Sequence, residues 1–267
     1  MNKLGLIAGN GVFPLEVART ARRKGMHIVA VAHIGETNST LAELTDEITW
    51  IRVGELERMI DAFKRAGVSR VAMAGGISRA RLADSFAPDA RAVAMLTRIG
   101  RLSDDAVLRG VAGEIEADGM SVIDPVPMLE NVLAQTGLLS GPAPNPAQLN
   151  DLRLAFEIAR ALGSFDVGQA VAVRDGVTAA VEAIEGTDAA LRRAAALCGK
   201  GLVVAKAAKP SQDLRFDRPA IGPATIELLR EIGAAVIGIE AGTAMLLERA
   251  RTLELAHAAG ITVYGYE

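Results

Sequence analysis

Between Leu4 and Asp124 the chain repeats one pattern: a short apolar run, a glycine-bearing turn, then an amphipathic stretch. Leu4–Ala8 reads as a strand that stops at Gly9-Asn10-Gly11. Pro14 stands where a first helical turn begins, and Leu15–Lys24 reads as a helix ended by Gly25. Met26–Ala32 predicts a second strand, Ile51–Val53 a third, Glu55–Ala66 a helix closed by Gly67, and Arg70–Ala74 a strand ended by Gly75-Gly76. Asp89–Ile99 and Asp104–Asp118 predict helices, the second capped by Ser103, and Ser121–Asp124 a last short strand. Strands that alternate with helices imply a parallel sheet with crossover helices, so the region is expected to be Rossmann-like.

The pattern changes at Asp124. Asp124-Pro-Val-Pro opens a connecting segment that the Gly/Pro-rich run Gly137–Pro146 closes. The expected division is a parallel-sheet domain over 1–124, a linker over 125–145 and a separate mixed α/β domain over 146–267. In the second domain Asn145-Pro146 caps a helix to Leu162. Asp175-Gly176 between Gln169–Arg174 and Val177–Ile184 marks a hairpin. Thr187 is expected to cap a helix over Asp188–Leu197, followed by a strand over Leu202–Ala207. Pro223–Ile232, Thr243–Arg249 and Leu253–Ala259 read as helices, and Ala235–Glu240 and Ile261–Tyr264 as strands. The class is thus α/β throughout.

Half of the 267 residues are apolar but only 3% are aromatic, so the core must be built from Ala, Val, Leu and Ile. A net charge of −3 gives no reason to expect a nucleic-acid partner. With one cysteine, Cys198, no internal disulfide forms, which is compatible with the cytosol; His27, His33 and His257 are too scattered for a zinc site. Neither a signal peptide nor a membrane-spanning apolar run is expected.

The densest chemistry lies in Lys209-Pro-Ser-Gln-Asp-Leu-Arg-Phe-Asp-Arg-Pro219, which follows the buried run Gly201–Ala208. If extended, it would put Asp213, Arg215 and Asp217 on one face and Leu214 and Phe216 on the other. Two carboxylates beside a guanidinium suit a divalent cation and a phosphate; a surface loop with an internal Asp–Arg–Asp ion pair is the alternative. Gly9-Asn10-Gly11, between strand and helix, has the setting of a phosphate-cradling loop, although Pro14 stands where a dinucleotide fingerprint needs its third glycine. Gly75-Gly76 ends another strand and would line the same crevice. Glu185-Gly-Thr-Asp188 and Glu240-Ala-Gly-Thr243 share a strand–Gly–Thr–helix form and suggest a common rim; an N-cap with an acidic first turn explains the former equally. Arg79, Arg81, Arg91, Arg98 and Arg101, interleaved with apolar residues, could form a basic membrane-facing surface or a solvated helix pair. Asp104-Asp105 complements a helix dipole, and adjacent helical residues do not jointly hold a metal.

Taken together, these motifs resemble one family: the Mg-dependent UDP-2,3-diacylglucosamine pyrophosphatases of the lipid A pathway, the type unrelated to calcineurin-like phosphoesterases. The resemblance rests on Leu6-Ile-Ala-Gly-Asn-Gly-Val-Phe-Pro14, Ala74-Gly-Gly76, Asp104-Asp-Ala-Val-Leu-Arg109, Val181-Glu-Ala-Ile-Glu-Gly-Thr-Asp188, Lys206–Asp217, Ile221-Gly-Pro-Ala-Thr225 and Ile239-Glu-Ala-Gly242, spread over nearly the whole chain. Gly76-Ile-Ser-Arg79 departs from the more basic or proline-containing loop expected there.

The resemblance implies hydrolysis of a lipid-linked UDP-sugar to UMP and 2,3-diacylglucosamine 1-phosphate, lipid X. It also implies two domains that hold substrate between them, and work in the cytoplasm beside the inner membrane. Pyrophosphate hydrolysis needs charge neutralisation and a positioned water more than covalent chemistry. Asp213 and Asp217 are therefore expected to hold Mg²⁺, or one of them to orient the water. Lys206, Lys209 and Arg215 are expected to offset phosphate charge, and Gln212 to bond the sugar or a phosphate. Gly9, Asn10, Gly11, Gly75 and Gly76 are expected to cradle one end of the ligand, with Thr187, Asp188 and Glu240 on the rim. Two rival readings remain, a dinucleotide-dependent oxidoreductase and a non-catalytic nucleotide-lipid binding protein. A homodimer is compatible with the Ala/Val-rich strands.

Overall fold

Why the apolar runs of the first half lack alternation is explained by burial on both faces. In the computed structural model, which describes residues 2–78, 86–100 and 103–267, Leu4, Leu6, Ile7 and Ala8 of one strand are all buried. The described residues form two compact units, Met1–Glu130 with Asp213–Asp217, and Asn131–Gln212 with Arg218–Glu267.

The first unit runs β1 (Lys3–Ala8), α1 (Phe13–Arg23), β2 (His27–His33), β3 (Glu47–Ile51), α2 (Leu56–Arg65), β4 (Arg70–Ala74), α3 (Ala90–Ile99), α4 (Asp104–Ala117) and β5 (Ser121–Ile123). All pairings are parallel, in the order β3-β2-β1-β4-β5. The Rossmann-like expectation is met. β3 begins four residues before the expected Ile51–Val53. It is an edge strand with one side partly exposed, so Glu47-Ile-Thr-Trp-Ile alternates and lacks an apolar run. Ser103 caps α4 and Asp89 caps α3 through their side chains, as polar N-caps do.

The second unit runs β6 (Gly137–Ser140), α5 (Pro146–Ser164), β7 (Ala170–Arg174), β8 (Val177–Val181), α6 (Thr187–Cys198), β9 (Val203–Lys206), β10 (Ala220–Ile221), α7 (Pro223–Glu231), β11 (Val236–Glu240), β12 (Met245–Leu246), α8 (Arg249–Ala258) and β13 (Thr262–Tyr266). Its six-stranded sheet has the order β6-β13-β11-β9-β7-β8, with β9, β11 and β13 parallel and the flanking pairings antiparallel. It is the expected mixed α/β sheet. Gly137–Ser140, in the stretch read as linker, is an edge strand of this sheet. Asn145 and Gln148 form a reciprocal capping box at α5. Asp175 and Gly176 both have positive φ, the hairpin geometry their sequence demands, and the Asp151 carboxylate accepts both their N–H groups.

Side chains alternate across this sheet. Val203 and Ala205 face Leu152 and Phe156 of α5, whereas Val204, Ile237 and Ile239 face Leu191 of α6 and Leu229 of α7. Two expectations fail here. Thr243–Arg249 is not helical: Met245 and Leu247 donate their N–H groups to Pro219 and Ile221 as β12 pairs with β10, so tertiary pairing overrides local propensity. Thr187 is not the cap but the first residue of α6, and its hydroxyl donates to Glu182 at 2.7 Å.

Candidate active site

The charged segment is a turn, not an extended strand. The Asp213 carboxylate accepts the Arg215 N–H at 3.1 Å, and the Asp213 carbonyl accepts from Phe216 and Asp217 at 3.2 and 3.0 Å. An aspartate that bonds its own backbone two residues on favours such a turn over a strand. The expected one-face alignment of Asp213, Arg215 and Asp217 is therefore replaced by a different arrangement. The Arg215 guanidinium reaches back to grip Asp213 through Nε (3.0 Å) and Nη2 (2.8 Å). Its Nη1 bonds Glu116 at 2.8 Å and lies 3.4 Å from the Val122 carbonyl.

Helix α4 supplies the other side of this cluster. Arg109 Nη1 lies 3.8 Å from Asp213, and Arg109 Nε bonds Asp105 at 2.7 Å. Asp105, Arg109 and Glu116 share one face of α4 by helical periodicity, a signal that the dipole reading of Asp104-Asp105 overlooked. The result is three carboxylates and two guanidinium groups within the first unit. Arg215, opposed by partial burial, holds the Asp213 carboxyl below the usual range. Asp213 stays ionised at neutral pH, so it is an acceptor or metal ligand there and not a general acid.

Among the described residues no group of three or more His, Cys, Asp or Glu is disposed as a metal cage. Mg²⁺ needs none: it takes one or two carboxylates and fills the rest of its shell with water and phosphate oxygens. Asp213 and Asp217 carry carboxylate oxygens, the donor type such an ion takes.

The two glycine loops touch one another. Gly9 N donates to Ala74 O at 2.8 Å and Asn10 N to Gly76 O at 2.7 Å, so these amides are engaged by protein and not directed at an anion. A Cβ on Gly9 would lie 2.2 Å from Gly76 O. Glu36, just past β2 and buried, accepts from Asn10 Nδ2 at 2.7 Å and Ser78 N at 3.2 Å. Glu36 thus braces the two loops. His33 Nδ1 lies 3.0 Å from the Ala8 carbonyl, and burial pushes the imidazole below its usual range, leaving it neutral.

Next to these loops the first unit has a partly open cavity of about 170 Å³. Its walls are apolar, from Ile7, Met59, Met73, Met95, Leu96 and Phe216, with Gly9, Gly75 and His33 at its polar side. An apolar-walled cavity of this order accepts an apolar ligand. Nothing in the local sequence pattern announces it, because its walls come from separate strands and helices.

In the second unit Lys206, Thr187 and Glu240 stand at one edge of the sheet, where β9 and β11 end and α6 begins. Glu240 accepts from Ala208 N (2.9 Å) and Arg160 (2.9 Å), and Lys206 Nζ donates to Ala220 O at 3.0 Å. Lys209 pairs with Asp166 at 2.6 Å, and its N–H donates to buried Gln212 at 3.0 Å. Asp188 is exposed in the first turn of α6. Arg160 and Asp166 were not singled out from the sequence, because each lies far along the chain from the group it holds; Glu182 entered only within the Val181–Asp188 motif, and its bond to Thr187 was not foreseen.

The two described arginines of the arginine-rich stretch, Arg91 and Arg98, are held in ion pairs. Arg91 bonds Glu114 at 2.6 Å and Asp118 at 2.5 Å, and Arg98 also pairs with Glu114. These pairs favour the solvated helix pair over a basic membrane-facing surface at these positions. Arg79, Arg81 and Arg101 lie outside the described residues.

Family models for the LpxI N-terminal domain and the LpxI C-terminal domain match residues 3–132 and 135–264. The protein named UDP-2,3-diacylglucosamine pyrophosphatase LpxI of Caulobacter vibrioides is 34% identical over 278 residues, which take in 100% of this chain and 98% of that protein. Among solved structures, the biotin carboxylase domain of Hydrogenobacter thermophilus 2-oxoglutarate carboxylase overlaps 66% of this chain and 35% of its own at 16% identity and a TM-score of 0.31. Phosphoribosylglycinamide synthetase from Anaerococcus prevotii overlaps 69% and 40% at 14% identity and a TM-score of 0.29. At such scores neither bears on fold or function.

Proposed function

This chain belongs to the LpxI family, and from that premise we propose that it hydrolyses the pyrophosphate of UDP-2,3-diacylglucosamine to UMP and 2,3-diacylglucosamine 1-phosphate in lipid A biosynthesis. The observation that carries the reading is a pairing within the first unit. Helix α4 lines an apolar cavity with Val107, Leu108 and Val111, and its other residues Asp105, Arg109 and Glu116 join the Asp213–Arg215 cluster. A substrate with acyl chains and a pyrophosphate asks for both.

On this reading Asp213 and Asp217 hold Mg²⁺, which when bound neutralises phosphate charge. Arg215 and Arg109 offset the charge that develops on the leaving phosphate, since preorganised cations cost no reorganisation as the reaction proceeds. Lys206, Lys209 and Gln212 of the second unit, with Thr187, Asp188 and Glu240, are assigned to substrate polar groups. Gly11, Gly75 and Gly76 are assigned to ligand contact, and Gly9 and Asn10 to shaping the loop that makes it. The cavity receives acyl chain, each buried methylene contributing about 0.8 kcal/mol. The enzyme works in the cytoplasm as a peripheral protein of the inner membrane, where a diacylated substrate resides. No helix among the described residues is long and apolar enough to cross a membrane.

Incubation with UDP-2,3-diacylglucosamine and Mg²⁺ should release UMP and lipid X. Chelation with EDTA should stop the release, and added Mg²⁺ restore it. No UMP under any divalent metal would overturn the reading, and turnover indifferent to chelator would remove Mg²⁺ from it. Retained binding without turnover would instead favour a nucleotide-lipid binding protein.

A further inference from the structure

Resting on that reading, we propose that Phe216 is a positioning residue, through which an acyl chain in the apolar cavity orders Asp213 and Arg215 for catalysis. Phe216 is the one residue of the Asp213–Asp217 turn that lines the cavity, and its side chain packs on the core of the first unit. Its N–H donates to the Asp213 carbonyl, and its ring centre lies 5.6 Å from the Arg215 guanidinium carbon. One turn therefore ends in an aromatic wall on the apolar side and in the carboxylate–guanidinium fork on the charged side.

The physical coupling follows from packing. A side chain that borders a cavity lacks close-packed protein neighbours on that side and forfeits their dispersion contacts. Filling the cavity supplies them and fixes the ring. Because the ring is joined to Asp213 by one hydrogen-bonded turn, and to Arg215 by adjacency and cation–π contact, fixing the ring fixes both charged groups. The occupant is the substrate's own acyl chain, since the walls are apolar and the charged cluster stands on the same helix and the same turn. The enzyme would then turn over fully only when the lipid end of its substrate is seated, which discriminates against soluble UDP-sugars of the same head group.

The test compares kcat and KM on UDP-2,3-diacylglucosamine and on UDP-glucosamine, for the native enzyme, Phe216→Ala and Phe216→Leu, with thermal unfolding of each variant. The native kcat should be larger on the diacylated substrate by at least about tenfold, since small misplacements of catalytic groups cost up to about a hundredfold. Phe216→Ala should bring the ratio of the two kcat values toward one. Phe216→Leu, which keeps an apolar wall, should retain most of it. A cavity wall with no positioning role would raise KM for the diacylated substrate and leave the kcat ratio as in the native enzyme, and that result would overturn the proposal. Equal native kcat values on both substrates would also overturn it while leaving the reaction assignment standing. Absence of UMP from the native enzyme would instead remove the assignment, and the proposal with it.

Discussion

Asp213→Asn is expected to lower kcat by about three orders of magnitude and to move the unfolding temperature by only a few degrees. The substitution is nearly isosteric. The amide can still accept the Arg215 N–H that shapes the turn, so the chain conformation should survive. What is lost is charge. Arg215 and Arg109 would face a neutral group where they now face a carboxylate, and a cation held there would lose a ligand. The stability cost is small because Arg215 keeps Glu116 as a partner and is partly exposed, and ion pairs in that setting contribute about 1 kcal/mol or less. UMP release and thermal unfolding, measured on the same preparation, separate the two effects. Near-native turnover would make the cluster a structural ion pair.

The pH dependence follows from the direction of the Asp213 shift. Its folded-state pKa lies below the ordinary aspartate value, so its stabilising contribution is present above about pH 3.9 and is lost as pH falls through the lower folded value. Any ionisation that governs kcat between about pH 5 and 9 therefore belongs to another group, and Asp213→Asn should scale the profile without moving its limbs. Asp217→Asn, assayed over a range of Mg²⁺ concentrations, resolves the division of labour between the two acids. The variant rescued by excess Mg²⁺ has lost a metal ligand, and the one that is not has lost a group that orients water.

The second large effect is on folding, and it distinguishes two adjacent glycines. Gly75→Ala should destabilise the protein by about 3 kcal/mol or more, whereas Gly76→Ala should stay within about 0.5 kcal/mol. Gly75 has φ +82°, and a Cβ there would lie 2.3 Å from the Asn10 carbonyl oxygen and 3.0 Å from the Gly9 carbonyl carbon. Both obstacles are backbone, so no side-chain rotation relieves them, and the left-handed conformation adds about 1–2 kcal/mol by itself. At Gly76 the nearest atom is the Asn10 Oδ1, at an ordinary 3.5 Å. Chemical denaturation of the two variants checks the contrast. Equal stabilities would mean that the glycine loops are not locked together as described.

That contrast shows where sequence reasoning stops. Gly75-Gly76 was readable as a strand end with room for close approach, but which glycine is indispensable depends on Asn10, a residue 65 positions away. The approach is also of loop to loop, with the ligand contact still to be tested. Likewise Lys209–Asp217 was recognisable as the chemical centre from its density of Asp, Arg, Lys and Gln. Its conformation was misjudged because a local Asx-type hydrogen bond competes with strand geometry. Glu116 was not singled out, and Arg109 entered only as the end of the Asp104–Arg109 motif, because their partners are about a hundred residues on, at Arg215 and Asp213. Thr243–Arg249 failed for the same reason: its backbone N–H groups are taken by the distant Pro219 and Ile221.

Legible from the residues alone is therefore the part governed by neighbours along the chain. Continuous apolar runs mean strands buried on both faces, capping residues start helices, Asp-Gly turns a hairpin, and the alternation of strand and helix leaves a parallel sheet as the topology that satisfies them all. Long-range packing alone sets that Asp213–Asp217 folds with the N-terminal half, that its phenylalanine walls a cavity, and that α4 lends it an arginine and two acids. The physical reason is that side-chain packing and ion pairing depend on distance in space, and residues a hundred positions apart leave no periodic trace of their contact in either stretch of sequence.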